Sequence, residues 1–227
     1  MLSLQRKKEI SMKSINRRLA DLRIDYRPNV KPESDNPANP FDKFEKWIGE
    51  AIDSGAAIPN AMILSTVGND GRPSGRVVLL HGLDERGLIF YTHYQSRKGN
   101  DLRQCRFASV TFFWSELFRQ VRVEGEVSRL PETESEEYFR SRPRESQISA
   151  MASEQSKILE HRELLEKRVV ELEQKYKDLP VPRPPEWGGY YLSPDRIEFW
   201  QGRPGRLHDR ILYTLSDRSW KILRLFP

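Results

Sequence analysis

Near the end of the chain Arg206, His208 and Arg210 alternate with Leu207 and Asp209, a few residues beyond Trp200. In an extended chain alternate side chains point the same way. This spacing therefore aims three cationic or titratable groups in one direction, and such a group calls for an anionic or polar partner. Further cations recur upstream. Arg76 opens the apolar run Val77, Val78, Leu79 and Leu80, which reads as a strand seeking burial. A buried guanidinium must be paired, so Arg76 either reaches solvent at the strand end or grips a phosphate through two hydrogen bonds. Ser96, Arg97 and Lys98 stand between an apolar strand and a short helix. A helix N-terminus carrying a hydroxyl and two cations attracts anions; a solvated loop is the alternative. Gln120 and Arg122 alternate with Val121 and Val123, so they share the face opposite the valines. Tyr138, Arg142, Ser146 and Gln147 surround a break at Pro143, and Gln155-Ser156 precedes a helical stretch that it could cap.

Other chemistries find little support. The histidines (His81, His93, His161, His208) lack metal-ligand spacing, and no metal site is expected. No Gly-x-Gly-x-x-Gly follows a strand, which argues against a dinucleotide fold and a P-loop. Several anion-friendly positions without a Gly-rich loop point to a compact phosphorylated ligand held by side chains. The net charge of +5 suits anionic ligands, but is mild for a nucleic-acid partner. A module holding single strands on Tyr91, Phe112 and Trp114 is the non-enzymatic alternative. Cys105 is the single cysteine, so an internal disulfide and a cysteine-based zinc site are excluded and a reducing compartment, the cytoplasm, is expected. No apolar run approaches the roughly 18 residues of a membrane span. The basic N-terminus lacks an apolar core of the secretory kind, and Glu9 and Asp21 speak against a mitochondrial presequence.

The elements that must position these residues follow from capping and periodicity. Residues 1–22 read as a flexible basic arm and 23–227 as a single domain. Four prolines mark 28–40 as an irregular linker. Asn39-Pro40 opens a helix whose apolar positions run from Phe41 to Ile52 and which Gly55 stops. Short strands then succeed one another: 61–67, a turn at Asn69-Asp70-Gly71, 75–81, 88–92, 108–114 and 119–127. Pro131–Arg140 reads as a helix that Arg142-Pro143-Arg144 breaks, and 157–177 as another. After a proline-rich linker at 180–185 come strands at 189–192, 197–200, 211–214 and 220–225. Short antiparallel strands at this spacing predict a mainly β chain closed into a barrel, with flanking α-helices.

The ordered motifs resemble one family. Arg-Val-Val-Leu-Leu (76–80), Tyr-Thr (91–92), Ser-Arg-Lys (96–98) and Arg-Gln-Val (119–121) are followed by Tyr-Phe-x-Ser-Arg-Pro-Arg-x-Ser-Gln (138–147) and Gln-Ser (155–156). Trp-Gly-Gly (187–189) and Phe-Trp-Gln-Gly…Arg-Leu-His-Asp-Arg (199–210) complete the set. Over residues 20–227 the chain is similar to pyridoxine (pyridoxamine) 5′-phosphate oxidases. The resemblance implies a split antiparallel β-barrel homodimer with FMN at the subunit interface, oxidising pyridoxine 5′-phosphate and pyridoxamine 5′-phosphate with O2. It implies FMN contacts from Arg76 to Leu80, Tyr91, Thr92, Arg97, Lys98, Gln120, Gln155, Ser156, Trp200 and Arg210. It places the substrate phosphate on Tyr138, Arg142 and Ser146 and the pyridine ring against Arg206 and His208, as catalytic residues. Arg23 and Tyr26 match a segment that closes over the site. One departure stands out: the family pattern has lysine after the Leu-Leu pair, contacting substrate, whereas this chain has His81. A lysine stays charged at neutral pH and an ordinary histidine is mostly neutral, so weaker or more pH-dependent substrate binding is expected. A related split-barrel flavin oxidase, such as a phenazine-pathway enzyme, is the alternative.

Overall fold

A computed structural model describes residues 15–22, 26 and 36–227. Of the arm expected over 1–22, residues 15–21 form a solvent-exposed helix, α1, and 1–14 lie outside the described residues. Helix α2 (Pro40–Asp53) forms where its capping signal predicts. The Asn39 side chain accepts the Phe41 N–H at 3.1 Å, Pro40 takes the first turn, and Gly55 leaves the helix at φ 77°. Its buried stripe is Phe44, Trp47 and Ala51.

The strands are β1 (Ala61–Val67), β2 (Pro73–Leu79), β3 (Gly82–Asp84), β4 (Gly87–His93), β5 (Phe107–Trp114), β6 (Arg119–Arg129), β7 (Trp187–Gln201), β8 (Asp209–Ser216) and β9 (Ser219–Arg224). Helix α3 (Arg97–Gln104) lies between β4 and β5, and α4 (Glu132–Ser141), α5 (Arg144–Ala152) and α6 (Arg162–Lys175) lie between β6 and β7. The strands make one 9-stranded sheet in the order β2-β1-β5-β6-β7-β4-β3, with β8 on β7 and β9 on β8. Every pairing is antiparallel. The path begins with β2 and ends with β3, which are consecutive in the chain, so the sheet curls into a split barrel. The seam is Leu80-His81: Leu80 N–H still bonds the Asn60 carbonyl, while His81 N–H bonds Ile89 of β4.

Strand β7 is the spine. One edge pairs with β6 from Tyr190 to Gln201; the other serves β4 through Trp187–Leu192 and β8 through Arg196–Gln201. The change of partner falls at Ser193-Pro194, opposite a register shift at Glu124/Gly125. A Cβ on Gly125 would lie 2.0 Å from the Ser193 carbonyl oxygen, so only glycine permits this crossing. Inside, Phe44 packs edge-on against Phe112 and Trp47 against Phe199, each at 5.2 Å between ring centroids. Val121 and Val123 are fully buried, leaving Gln120 and Arg122 on the other face, as alternation requires.

Some expectations are revised. The stretches 189–192 and 197–200 are one continuous strand. Helix α5 was not foreseen: Pro143 ends α4 by holding Arg142 extended (φ −71°, ψ 148°), yet its own ring suits a helix start, so a new helix begins at once. Helix α6 starts at Arg162 with no side-chain cap, so Gln155-Ser156 caps nothing. Val77 and Leu79 are 65% and 39% exposed rather than buried, because β2 is an edge strand whose outer face one chain leaves uncovered.

Candidate active site

The seam at Leu80-His81, the start of α3 and the α4–α5 corner surround a cavity of about 840 Å³. Arg76, Arg97, Lys98 and Arg142 line it, and among the described lining residues there is no carboxylate. Val77, Val78, Leu79, His81, Tyr91 and Thr92 also face it, as do Tyr138, Ser146, Gln155 and Ser156. Leu80 does not; it is buried beside Asn60. Arg23 lies outside the described residues.

The charges form two groups. In the first, Ser96 caps α3 by accepting the Gly99 N–H at 3.3 Å. A Cβ on Gly99 would meet the Tyr94 carbonyl oxygen at 2.1 Å, so glycine allows the helix to begin tight against β4. Among the described residues Lys98, 8% exposed, donates to neutral oxygens: Thr92 Oγ1 at 3.1 Å, Ser96 Oγ at 3.3 Å and Gln155 Oε1 at 2.7 Å. Burial, and then Arg76, lower its pKa to about 8. Arg76 donates to the Leu64 carbonyl at 3.0 Å and to Thr66 Oγ1 at 2.7 Å, with Asp101 3.8 Å away. Its pKa is lowered mainly by burial, against the pull of Asp101. Ser156 holds a left-handed backbone (φ 75°) beside these cations, the kind of strain that gathers at functional sites.

In the second group, Arg142 lies over the Trp187 ring, its guanidinium carbon 4.6 Å from the centroid. Its Nη1 is buried and has no hydrogen-bond partner among the described residues. Burial lowers its pKa first, with Tyr138 opposing. Tyr138 and Tyr91 stack at 3.8 Å, and Tyr91 stacks on Trp187 at 5.5 Å. A Cβ on Gly189 would sit 2.8 Å from Tyr91, so this glycine leaves room for the ring column. The Tyr138 hydroxyl lies 2.8 Å from His81 Nδ1. His81 is pushed below the ordinary histidine range by burial and then by Arg142, so it is neutral at pH 7. Trp187 was missed as a site residue; its signal was the Trp-Gly-Gly run, in which glycines mark close packing beside the ring.

The remaining expected residues stand elsewhere, on the uncovered face of the barrel. Gln120, Trp200 and Arg210 form one cross-strand row over β6, β7 and β8. Glu198, 3% exposed, fixes Arg210 and Arg122, accepting from Arg210 Nε at 2.7 Å and Arg122 Nη2 at 2.8 Å. That hydrogen bond to Glu198 raises the pKa of Arg210. His208 lies 4.7 Å from Trp200 and 5.5 Å from Tyr26 between ring centroids. His208 Nδ1 accepts the Arg203 N–H at 3.1 Å, which leaves its proton on Nε2. Burial and then Arg206 lower its pKa. Arg206 is exposed at φ 62° in a tight turn, so Arg206, His208 and Arg210 do not share one side of an extended segment. Gly205 and its left-handed backbone interrupt the extension that alternation presumed.

Comparison with known proteins supplies the context. A family model described as pyridoxamine 5′-phosphate oxidase matches residues 48–176, and one described as pyridoxine 5′-phosphate oxidase C-terminal dimerisation region matches 187–227. A pyridoxine/pyridoxamine 5′-phosphate oxidase of Acaryochloris marina is 50% identical over 209 residues, 92% of this chain and 95% of the relative. One of Burkholderia lata is 51% identical over 212 residues, 92% and 99% of the two chains. Among solved structures, PhzG from Burkholderia lata, in complex with tetrahydrophenazine-1-carboxylic acid, superposes with TM-score 0.84 at 35% identity. It covers 88% of this chain and 99% of its own. An FMN-binding protein of Nostoc punctiforme shares the fold, with TM-score 0.67 at 17% identity over 83% of this chain and 98% of its own.

Proposed function

The chain belongs to the pyridoxamine 5′-phosphate oxidase family, and from that premise we propose that it oxidises pyridoxine 5′-phosphate and pyridoxamine 5′-phosphate to pyridoxal 5′-phosphate with FMN and O2. The observation that carries this reading is Arg142 Nη1, buried and unpartnered beside Tyr138 and Ser146. A buried donor without a partner is costly, and a phosphate oxygen would satisfy it. FMN fits the other charge group: Arg76 lies close enough to Arg97 and Lys98 to be repelled by both, only Arg76 has a carboxylate, Asp101, within 4 Å among the described residues, and a flavin phosphate would offset that repulsion. The chemistry FMN supplies when bound is acceptance of a hydride equivalent from the substrate 4′ carbon, with O2 as final acceptor and H2O2 as product; the amine also releases ammonia.

The chain's own residues then hold and orient. Tyr138, Arg142 and Ser146 bind the substrate phosphate. Arg206 and His208 meet the pyridine ring, with His208 offering a proton at Nε2, and Tyr26 closes over them. Gln120, Trp200 and Arg210 complete the flavin site from a second copy. The match to a dimerisation region supports that arrangement. So does the exposed apolar surface of β1, β2 and β5, where Ile63 is 46%, Val77 65% and Phe113 55% exposed.

The test is a purified yellow protein releasing FMN on denaturation and forming peroxide with both phosphorylated substrates. Colourless protein, or no peroxide from either substrate, would refute the proposal. A flavin oxidase acting on a phenazine-type carboxylate is the second reading, favoured by the likeness to PhzG at TM-score 0.84. Equal turnover of phosphorylated and unphosphorylated pyridoxine would favour it.

A further inference from the structure

The Arg142 corner holds a coupling between two of its residues. The Tyr138 hydroxyl and His81 Nδ1 lie 2.8 Å apart, in the cavity where Arg142 Nη1 has no partner. A hydroxyl has one proton to give. When His81 is neutral with its proton on Nε2, Nδ1 can only accept, and Tyr138 spends its proton on His81. When His81 is protonated, Nδ1–H donates to the Tyr138 oxygen, and the hydroxyl proton is free for another acceptor.

We propose that His81 is a positioning residue that sets whether Tyr138 can donate to an anion held by Arg142, so that anion binding at this corner is coupled to uptake of a proton by His81. The inference rests on the reading of this corner as the substrate-phosphate site. Charged and titratable groups around His81 are Tyr138 of α4, Arg142 beyond it and Tyr91 of β4; His93 of β4, Arg76 of β2 and Arg97 and Lys98 of α3 line the same cavity, and His93 is the titrating group that the His81→Asn variant controls for. Arg142 opposes protonation of His81, and an anion held by Arg142 reverses that balance. Burial holds Tyr138 and Tyr91 above the ordinary tyrosine range, so both stay hydroxyls while His81 titrates. The sign follows: His81 binds its proton more tightly when the anion is present, so the anion binds more tightly as pH falls through the histidine range.

Phosphate itself changes charge near pH 6, so the probe is inorganic sulfate, a dianion throughout. It is titrated calorimetrically into the flavin-loaded protein between about pH 5.5 and about pH 8.5, either side of the ordinary histidine value. The native protein should lose affinity about tenfold across that range, the worth of one charge-assisted hydrogen bond. His81→Asn should bind sulfate with no pH dependence. Tyr138→Phe should bind weakly and lose most of the slope, keeping only what the His81 charge contributes directly. Either variant keeping the native slope would overturn the coupling while leaving the phosphate site intact. Arg142→Met should abolish the sulfate heat. Heat surviving that change would place the anion elsewhere and overturn both the coupling and the phosphate reading.

Discussion

Lys98 is the most informative single residue at the proposed flavin end of the cavity. It is a buried cation with neutral partners, and its pKa is lowered to about 8. A phosphate dianion beside it would raise that value. Where the free protein has lost the proton and the complex keeps it, binding must take one up. FMN affinity should therefore hold steady below pH 8 and fall as pH rises above it. Flavin fluorescence on release between about pH 7 and about pH 9 reads this directly, a decade of affinity per pH unit being the limit for one coupled proton. Lys98→Met should bind FMN weakly and without that slope. At the proposed substrate end, Arg142→Lys keeps the charge but loses the planar fork. We expect KM for pyridoxine 5′-phosphate to rise at least tenfold with flavin content unchanged; an unchanged KM would remove Arg142 from the phosphate site. Arg206→Ala should cut kcat/KM strongly and retain FMN, and loss of flavin instead would show that Arg206 serves the cofactor.

At the scale of elements, α4 must be held on the barrel for Tyr138 to reach His81. Two contacts do this. Ser135 Oγ accepts the Gly189 N–H at 3.0 Å, and Arg86 of the β3–β4 turn donates to both oxygens of Glu134 at 2.7 and 2.8 Å. Glu134 lies one helical turn before Tyr138, so the ion pair anchors the tyrosine's own helix face. Arg86 and Glu134 are each about one-third exposed, so the pair adds at most about 1 kcal/mol to stability. Its effect should be on position: Arg86→Met is expected to raise KM severalfold with little change in Tm or flavin content. A variant that loses flavin and stability together would show a structural role only. The α2 anchor is of another kind. Arg119, 1% exposed, is held by Gln201 at 2.8 Å and by Glu50, with its guanidinium 4.4 Å from the Trp47 ring. It closes the barrel away from the cavity.

For the whole molecule, the uncovered face is the decisive feature. Ile63 and Val77 are cross-strand partners on it, and the Gln120–Trp200–Arg210 row continues the same side of the sheet. Burying such a side chain contributes roughly 1.5 kcal/mol or more, and a charge there would have to be desolvated. Ile63→Lys, outside the cavity, is expected to yield monomers by analytical ultracentrifugation and to release FMN. Monomers that keep FMN at native affinity would show that one chain completes the flavin site alone.

Much of this was legible in the residues themselves. The strands, the α2 caps, the opposed faces of β6 and the clustering of polar and cationic residues at Arg76, Ser96-Arg97-Lys98 and Tyr138–Arg142–Ser146 follow from rules that act within a few residues. So does the family resemblance, whose motifs are local and ordered. Other features depend on partners far off in the chain. Lys98 meets Gln155, 57 residues away, and Arg122 meets Glu198, 76 away. The sequence could not say that Gly205 would turn Arg206 out of line or that Glu198 would take Arg210. Nor could it say that the Val77 face would stay open. Periodicity reveals which face a strand buries but not which strand lies beside it. Only the tertiary pairing of β7 with β4 along one half and β8 along the other decided which cations share the cavity and which lie on the uncovered face.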